Sequence, residues 1–546
     1  MRQLIWFVVI VAGGIGIEAR AQGGSEVAST PQGYLPAHES AYQAAAKQGA
    51  PALRAFLMDF PKGADLHVHL SGAVYAETFI RDAGEDGLCV DPASLSFAQP
   101  PCTGSLIPAA QLSGNINAAD QAIYDKLVDA FSMRGFVASE GWSGHDQFFA
   151  TFGRFGGLKK THTAEWVDEV ASRAAAENNQ YLELMVTPAF THAAELANQF
   201  GSGANLAQAS EQVFAQFRQQ LLDNGLRDEV QNGRDEATQA EAARKKAEQC
   251  GTPQAAPACQ VETRYLCQGL RANPPEEVFA QLLLAFETVQ TSLAAKDDTW
   301  VGINLVQPED GYVSMRDYTL QMKMIGYLHS VYPAVPISLH AGELAFGLTP
   351  PEGLRFHIRQ AVELACAERV GHGVDLMNED NPRQLLKELA DKHVMIEINL
   401  SSNEGILGVK GEQHPFPIYM AGKVPVALST DDEGVSRIDL TNEYMRAALD
   451  YKLTYANLVK LARTGMEHSF LPGPSLWLYQ DHYLAPAKPC EADTLGNDAP
   501  SAACKAFLDS SEKAAAQWEL ERRIAAFQAK YTAEAKKAKD SGSPSQ

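Results

Sequence analysis

The chain is poor in cysteine and in positive charge. Its 546 residues include 8 cysteines and no CxxC motif, so a cysteine-rich metal site of the zinc-finger kind is excluded. Lysine and arginine number 45 against 67 aspartates and glutamates, and the formal net charge is −22 at pH 7. Because so acidic a surface repels phosphate backbones, we expect no nucleic acid among the partners.

Long apolar runs are also scarce. One lies at residues 4–17, after Arg2 and before the small-x-small sequence Ala19-Arg20-Ala21, a pattern typical of a cleaved export signal. No later stretch reaches the roughly 18 uninterrupted apolar residues of a membrane span. We therefore expect residues 1–21 to be a signal peptide, the mature protein to be periplasmic or secreted, and no membrane association after cleavage.

Export permits disulfides, which changes the interpretation of the few cysteines. Three close pairs flank turn-rich loops, and we expect each pair to form a local bridge: Cys89 with Cys102, Cys250 with Cys259, and Cys490 with Cys504. Cys267, in an expected strand, and Cys366, in an expected helix, are expected to be free and buried.

From residue 61 onward, short apolar runs alternate with amphipathic helical stretches. The expected strands are 64–70, 180–186, 263–271, 301–306, 335–342, 369–376, 394–402 and 424–432. Continuous apolar strands alternating with helices predict a parallel sheet buried on both faces. Eight such units favour an α/β fold, a (β/α)₈ TIM-type barrel with helical insertions. A doubly wound sheet is the alternative, although no glycine-rich phosphate loop follows the first strand.

The same pass along the chain suggests its domain organisation. The expected segments are a signal peptide (1–21), an N-terminal extension (22–60), the barrel (61–485), and a C-terminal loop and helix (486–546). Residues 225–260 form an expected helical insertion, for which a solvated excursion, a lid and a homodimer contact are all compatible interpretations. Helical spacing in the last segment predicts one packed face, made of Leu520, Ile524, Phe527 and Tyr531.

Histidines and aspartates stand at the ends of several expected strands. His67 and His69 are two residues apart in a strand, so their side chains point to one face. His340 closes a later strand, and Asp431-Asp432 close the last one. The carboxyl ends of barrel strands meet at the face where sites are built. Imidazole and carboxylate groups are zinc ligands, so the pattern predicts a metal centre at this face.

Glu343, in HAGE, and His372, in VGHG, follow strands in the same way. In this order HVHLSG, HAGE, VGHG and STDD resemble the adenosine/AMP deaminase family of the amidohydrolase superfamily, over about residues 61–470. IEINLSSN, with Asn403, is similar to the family segment before the last strand. Export and an insertion are similar to features of the secreted adenosine deaminase growth-factor group. The HxE/PCxxC class of zinc deaminases is excluded because those motifs do not pair up here.

The resemblance implies one zinc ion per chain, with the ligands His67, His69, His340 and Asp431. It implies that Glu343 donates a proton to purine N1 and that His372 orients or deprotonates the attacking water. Asp432 matches the carboxylate that contacts purine N7, and Gly72 lies where the first loop approaches the substrate.

Two departures from the family pattern concern specificity. Glu183-Leu184-Met185 lacks an arginine that often follows the glutamate, and Gln307 stands where a glycine usually lets purine N3 approach the backbone. The resemblance places the helix of HDQFFATFGRF, with Phe149 and Phe152, as a wall over the substrate. A helix simply packed on the barrel is an equal alternative, and Trp142 is a weaker candidate for the wall.

We therefore expect hydrolysis of adenosine or 2′-deoxyadenosine to inosine or 2′-deoxyinosine and ammonia, with a purine nucleoside as the small-molecule partner. One alternative is a deaminase of another aminopurine or of a purine nucleotide, which would need basic residues at the mouth of the site. The other is a catalytically idle extracellular nucleoside-binding or signalling protein, which would not need Glu343 and His372.

Overall fold

The computed structural model describes residues 35–114, 117–188, 190–203, 205–297 and 299–540. The expected signal peptide and the last six residues lie outside this part of the chain. The described residues from Ala37 onward belong to one compact unit.

The strands of the described residues are β1 (Gly63–His69), β2 (Cys89–Asp91), β3 (Ser96–Ala98), β4 (Ile107–Pro108), β5 (Asn179–Val186), β6 (Glu262–Leu270), β7 (Trp300–Val306), β8 (Ser338–Ala341), β9 (Arg369–His372), β10 (Met395–Ile398) and β11 (Val426–Leu428). Strands β2, β3 and β4 form a small antiparallel sheet, and the others are parallel.

The α-helices of the same residues are α1 (Ala37–Gln48), α2 (Ala50–Met58), α3 (Leu70–Ala73), α4 (Ala76–Glu85), α5 (Ala118–Ala130), α6 (Gly144–Arg154), α7 (Thr163–Ala176), α8 (Thr191–Phe200), α9 (Glu211–Asp223), α10 (Leu226–Ala247), α11 (Pro275–Ala295), α12 (Tyr312–Val331), α13 (His357–Glu363), α14 (Pro382–Asp391), α15 (Leu400–Leu407), α16 (Phe416–Ala421), α17 (Glu433–Ser436), α18 (Leu440–Asp450), α19 (Tyr455–Glu467), α20 (Ala502–Leu508) and α21 (Glu512–Asp540).

The eight parallel strands close into a barrel. They form two arcs, β1-β5-β6-β7 and β8-β9-β10-β11. Parallel bridges join the arcs at both seams, Val68 with Asp431 and Ile303 with Ile337. At the first seam the Asp431 N–H donates to the His67 carbonyl at 2.8 Å. The (β/α)₈ prediction is therefore confirmed, and closure at both seams excludes the doubly wound alternative, which is an open sheet.

The strands are buried because helices cover them from outside. Every residue of β1, β7, β8, β9, β10 and β11 is buried, which explains the continuous apolar runs in the sequence. Among the described helices α11 alone is long and apolar enough to cross a membrane by length and composition. Its apolar window is 72% buried, and it packs on β6 and β7, so it is a core helix of the barrel wall.

All three expected disulfides are present: Cys89–Cys102, Cys250–Cys259 and Cys490–Cys504. Cys267 is free and buried, as expected. The prediction for Cys366 is wrong, because this free cysteine is exposed. Helix α13 ends at Glu363, and Cys366 adopts a left-handed φ of 59° in the following turn, where its side chain faces solvent.

Helix α10 and the Cys250–Cys259 loop occupy residues 226–259, between β5 and β6. The helix buries Leu226, Val230 and Ala237 and packs on α7 and α11, so it is part of the layer of helices that surrounds the strands. At the other end of the chain α21 packs one face on the barrel, as its spacing predicts. Phe527 and Tyr531 contact Phe56, with ring centroids 5.2 and 5.1 Å apart.

Candidate metal centre and active-site cavity

Three imidazole rings from two distant parts of the barrel meet at one point. His67 and His69 end β1, and His340 lies on β8. The Nε2 atom of His340 lies 3.1 Å from the Nε2 atoms of both His67 and His69. Oδ1 of Asp431, just beyond β11, lies 3.6 Å from His67 Nε2 and 3.4 Å from His69 Nε2. The barrel thus brings all four expected ligands together.

These spacings match the donor set of a metal ion. A tetrahedral zinc ion with bonds of about 2.0–2.1 Å separates its ligand atoms by about 3.3 Å. The four distances of 3.1–3.6 Å lie around that value. Two imidazole lone pairs that face each other at 3.1 Å repel, and a cation between them removes that repulsion. The chemistry and geometry of the set therefore fit a divalent ion.

The other ring nitrogen of each ligand histidine faces an oxygen acceptor. His67 Nδ1 donates to Glu397 Oε2 at 2.6 Å, and His69 Nδ1 donates to Gln268 Oε1 at 3.0 Å. His340 Nδ1 donates to Asn304 Oδ1 at 2.8 Å. Since each Nδ1 carries the proton, each Nε2 presents its lone pair to the centre, as metal binding requires.

Burial keeps the imidazoles of His69 and His340 neutral. It lowers the pKa of His69 to about 4, although Asp431 acts in the opposite sense. Burial and the neighbouring histidines lower the pKa of His340 well below its usual value. For Asp431, burial would raise the pKa, but His67, His372 and His69 together lower it, so the carboxylate stays ionised. Neutral imidazoles and an ionised carboxylate are the forms that bind a metal.

His372 lies beside this set but is held differently. It ends β9 with a left-handed φ of 68°, a strained conformation for a non-glycine residue. Its Nε2 lies 3.7 Å from Asp431 Oδ2, and its Nδ1 lies 3.7 Å from Glu343 Oε1. One donor atom from each of His67, His340, His372 and Asp431 lies within 4.8 Å of the others.

Glu343 is a buried carboxyl group next to His372. Burial, with the charges of Asp431 and Glu309, raises its pKa well above the usual range, which favours the protonated acid. The loop that carries it is held by Glu309, which accepts hydrogen bonds from the Gly342 and Glu343 N–H groups at 3.0 and 2.8 Å. His357 Nδ1 in turn contacts Glu309 at 2.5 Å. The position of Glu343 is therefore fixed by backbone contacts.

A cavity of about 360 Å³ lies over these side chains, and His69, His340, Glu343 and Asp431 form its floor. Its wall includes Phe149 and Phe152 of α6, and also Phe148. Helix α6 packs closely on α15 at Gly144. A Cβ atom at this position would stand only 2.0 Å from the Gly405 carbonyl oxygen. The helix therefore packs on the barrel and forms a cavity wall at once, so the two sequence alternatives are both realised.

Trp142 lies in the loop before α6 and is 39% exposed. Its indole N–H donates to Gln147 Oε1 at 3.1 Å. Gln307 lines the cavity with a left-handed φ of 86°. Its side-chain oxygen accepts a hydrogen bond from the Ala272 N–H at 2.8 Å, which turns the amide away towards the end of β6.

Asp432 lines the cavity, and its buried Oδ1 atom has no hydrogen-bond partner among the described residues. Burial and the charge of Asp431 raise its pKa well above the usual range. Gly72 packs directly against it, since a Cβ atom there would stand 1.5 Å from Asp432 Oδ1. Ser71 lines the cavity, and Gly72 acts by leaving room for the carboxyl group.

A family model described as adenosine deaminase matches residues 160–476. The chain belongs to the adenosine deaminase family. The match starts after β1, so His67 and His69 lie outside it and join the site through the fold. An adenosine deaminase from Clostridium perfringens is 34% identical over 135 residues, which are 24% of this chain and 37% of that relative. The alignment thus spans little more than a third of the relative's length.

Solved structures with a similar fold include three proteins from bacteria and a plant. An adenine deaminase from Arthrobacter aurescens is 16% identical, with a TM-score of 0.48 over 76% of this chain and 94% of its own. A zinc-bound amidohydrolase from Burkholderia ambifaria is 17% identical, with a TM-score of 0.49 over 77% and 88%. An N6-methyl-AMP deaminase from Arabidopsis thaliana is 19% identical, with a TM-score of 0.48 over 77% and 94%.

The residues that orient His67, His69 and His340 were not predicted from the sequence. Glu397 is a buried polar residue inside the otherwise apolar strand β10, and Gln268 is a buried polar residue in the inner half of β6. Asn304 is likewise a buried polar residue in the apolar strand β7. A polar residue in a buried strand needs a partner, and that signal could have found all three.

Glu183, the glutamate that precedes the missing arginine, lies inside the barrel and does not line the cavity. It forms an ion pair with Arg369 at 2.6 Å, and both side chains are fully buried. Its Oε1 atom also accepts a hydrogen bond from the Phe470 N–H at 2.6 Å. Arg369 Nε lies 2.7 Å from Glu397 Oε1, so this ion pair connects to the residue behind His67.

Proposed function

We propose that this protein is a zinc-dependent aminohydrolase that converts adenosine or 2′-deoxyadenosine to inosine or 2′-deoxyinosine and ammonia. One observation carries the proposal: three imidazole Nε2 atoms and Asp431 converge beside buried Glu343, on the floor of a cavity walled by aromatic rings. Membership of the adenosine deaminase family supports the reaction class.

His67, His69, His340 and Asp431 would hold the ion. Four of the separations between their donor atoms lie near the tetrahedral value, which supports a single zinc ion per chain. When bound, zinc supplies Lewis-acid chemistry that lowers the pKa of a coordinated water to about 7. The chain's own part is to fix the four donors and to exclude bulk water from them.

Glu343 is suited to act as the acid. The C6 atom of an aminopurine resists attack by water until the adjacent N1 takes a proton. A buried carboxyl group whose raised pKa keeps it protonated can donate that proton. His372, on the other side of Asp431, lies where it can contact the attacking water.

Asp432 is suited to hold the ring. Its raised pKa favours the protonated form, which can donate a hydrogen bond to an acceptor such as purine N7. The residue lines the cavity, and the Oδ1 atom of the same group has no hydrogen-bond partner among the described residues. Phe149 and Phe152 offer apolar ring surfaces against which a purine can pack.

The charge of the cavity favours a nucleoside over a nucleotide. Three carboxyl groups line it, those of Glu343, Asp431 and Asp432, and no lysine or arginine is among the described lining residues. A phosphate group brought there would find no lysine or arginine among the described lining residues to pair with it. This supports adenosine or 2′-deoxyadenosine and disfavours AMP.

We also propose export to the periplasm or the extracellular space. The three disulfides support an oxidising compartment. Cleavage after residue 21, a homodimer and membership of the secreted growth-factor group stay predictions.

The experiment is a substrate panel on the purified protein together with metal analysis. Adenosine and 2′-deoxyadenosine are expected to be deaminated, as measured by the change in ultraviolet absorbance and by release of ammonia. AMP is expected to react with a kcat/KM about 100-fold lower. About one zinc per chain is expected, and removing it with a chelator should abolish activity.

Matched variants separate catalysis from folding. Glu343→Gln should lower kcat at least 100-fold, whereas Glu352→Gln, at an exposed position, should leave it unchanged. If no aminopurine is deaminated by the zinc-loaded protein, the enzyme proposal fails. Binding of adenosine without turnover would then identify the idle nucleoside-binding alternative.

A further inference from the structure

Behind the cavity, a chain of hydrogen bonds leads from a backbone N–H group to His372. The N–H of Phe416, the first residue of α16, donates to His414 Nδ1 at 3.1 Å. His414 Nε2 lies 2.9 Å from Asn403 Oδ1, and Asn403 Nδ2 lies 2.9 Å from His372 Nδ1. Asn403 belongs to α15, and all three side chains are buried.

The backbone donor fixes the direction of every bond in this chain. An N–H group can only donate, so His414 Nδ1 must accept and the proton of the neutral ring must be on Nε2. The Asn403 atom that receives this proton must be the oxygen. Its amide nitrogen therefore faces His372 and donates, so His372 Nδ1 must accept.

It follows that His372 carries its proton on Nε2, the atom that faces Asp431 Oδ2 at 3.7 Å. The opposite tautomer would set two donors, Nδ1–H and the Asn403 amide, against each other at 2.9 Å. Asn399 Nδ2 lies 3.4 Å from His372 Nδ1 and 3.5 Å from His372 Nε2, so it does not distinguish the two tautomers, and the assignment rests on Asn403.

The three proposed metal ligands His67, His69 and His340 have the opposite tautomer. His67, His69 and His340 each donate through Nδ1 to an oxygen atom and present a lone pair at Nε2. For Asn304 the oxygen is again identified by a backbone donor, because the His340 N–H lies 3.4 Å from the same Oδ1. His372 presents an N–H group to the site where the other three present acceptors.

We propose that His414 and Asn403 are positioning residues that hold His372 in its Nε2–H tautomer, so that His372 donates a hydrogen bond to the attacking water and does not remove its proton. The catalytic part rests on the proposed function, whereas the tautomer does not. Neither His414 nor Asn403 contacts the cavity floor, so both act through His372.

The decisive variant is Asn403→Asp, which keeps the shape and reverses the polarity of one bond. When the new carboxyl group is ionised, both of its oxygens accept, so a neutral His372 donates through Nδ1 and loses the proton on Nε2. We expect kcat for adenosine to fall about 100-fold, as on loss of one positioned donor. KM, bound zinc and the midpoint of thermal unfolding should change little, because no ligand or wall residue is altered.

His414 supplies a matched pair of variants. His414→Leu removes the donor to Asn403 Oδ1, so the amide can turn, and we expect an intermediate loss in kcat of about 10-fold. His414→Gln keeps an N–H donor near the same place and should recover most of that loss. His482→Gln, at an exposed histidine, is the control for general effects.

The readout independent of activity is ¹⁵N NMR of the zinc-loaded, ¹⁵N-histidine-labelled protein, with His372 assigned by its absence in His372→Asn. Protonated and unprotonated ring nitrogens differ widely in ¹⁵N shift. We expect Nε2–H in the native protein and in His414→Gln, and Nδ1–H in Asn403→Asp. A native Nδ1–H tautomer, or kcat of Asn403→Asp within 3-fold of native, overturns the proposal. An Nε2–H tautomer in a protein that deaminates no purine would instead refute the proposed function and leave the tautomer assignment standing.

Discussion

His67 and Glu397 are joined by a hydrogen bond of 2.6 Å between two fully buried side chains that lie 330 residues apart in the chain. Burial alone would raise the pKa of Glu397, but Arg369 and His67 outweigh it and lower the pKa below its usual value. An ionised carboxylate therefore receives the Nδ1 proton of His67, one of the proposed metal ligands. This contact orients the ring and increases the basicity of its Nε2 atom.

Replacing Glu397 by Gln should weaken metal binding by about 10–100-fold, because the amide cannot accept as strongly as the carboxylate. Competition with a chelator of known affinity measures the change. Glu183→Gln is the matched control, since Glu183 pairs with the same Arg369 but contacts no ligand histidine. Equal losses of zinc affinity in the two variants would show that the effect comes from the Arg369 ion pairs.

Replacing Gly72 by Ala should lower activity at least 10-fold. The new Cβ atom would overlap Asp432, whose Oδ1 and Cγ atoms stand 1.5 and 2.3 Å from it, so the carboxyl group must move. Steady-state kinetics with adenosine measures the loss, and we expect KM to rise. Gly153→Ala, at an exposed position of α6 with no atom within 4 Å, should retain activity. Normal kinetics in Gly72→Ala would mean that Asp432 does not contact the substrate.

Gln307 has a left-handed φ of 86°, which is strained for a non-glycine residue. The hydrogen bond that its side chain accepts from the Ala272 N–H offsets this strain. Gln307→Gly removes both, so the free energy of unfolding should stay within about 1 kcal/mol of native. Gln307→Val keeps the strain, adds β-branching and loses the bond, and should destabilise by about 2 kcal/mol or more. Urea unfolding measures both values, and equal stability of the two variants would contradict the prediction.

His414 should make the protein less stable in mild acid. Burial, with a smaller contribution from Arg446, lowers its pKa to about 4, below the value of about 6.5 expected in the unfolded chain. Between these two values the unfolded state binds more protons, so stability is lost as the pH falls from about 6.5 to about 4.

The size of this effect is up to about 3 kcal/mol, from a shift of about 2.5 pH units. Urea unfolding of the native protein and of His414→Gln, at several pH values in that window, measures it. The difference between their free energies of unfolding should fall as the pH falls. Parallel curves would show that His414 is not the group responsible.

Much of the site was predictable because strand ends are marked locally in the sequence. His69, His372 and Asp431 follow buried apolar runs, and the carboxyl ends of parallel strands must meet at one face. The side chains that orient these residues were not predictable in the same way. Gln268 and Glu397 interrupt apolar strands, and nothing local shows which histidine each will contact.

Cys366 shows a different limit. The apolar run AVELACAERV predicts a helix through it, but α13 ends three residues earlier. A helix end depends on where the chain must turn to enter the next strand, here β9 at Arg369. That turn is set by the packing of α13 on the barrel, and it carries the cysteine to the surface.

The sequence by itself determined the eight strands, the close cysteine pairs and the ligand-type residues, because periodicity, short loops and side-chain chemistry are local properties. Only the tertiary structure decided which nitrogen of each histidine faces the centre. That choice depends on hydrogen-bond partners such as Glu397, Asn304 and Asn403, which barrel closure brings to the rings from other strands and helices. His67, His69 and His340 thereby present acceptor nitrogens to the centre, whereas His372 presents an N–H donor.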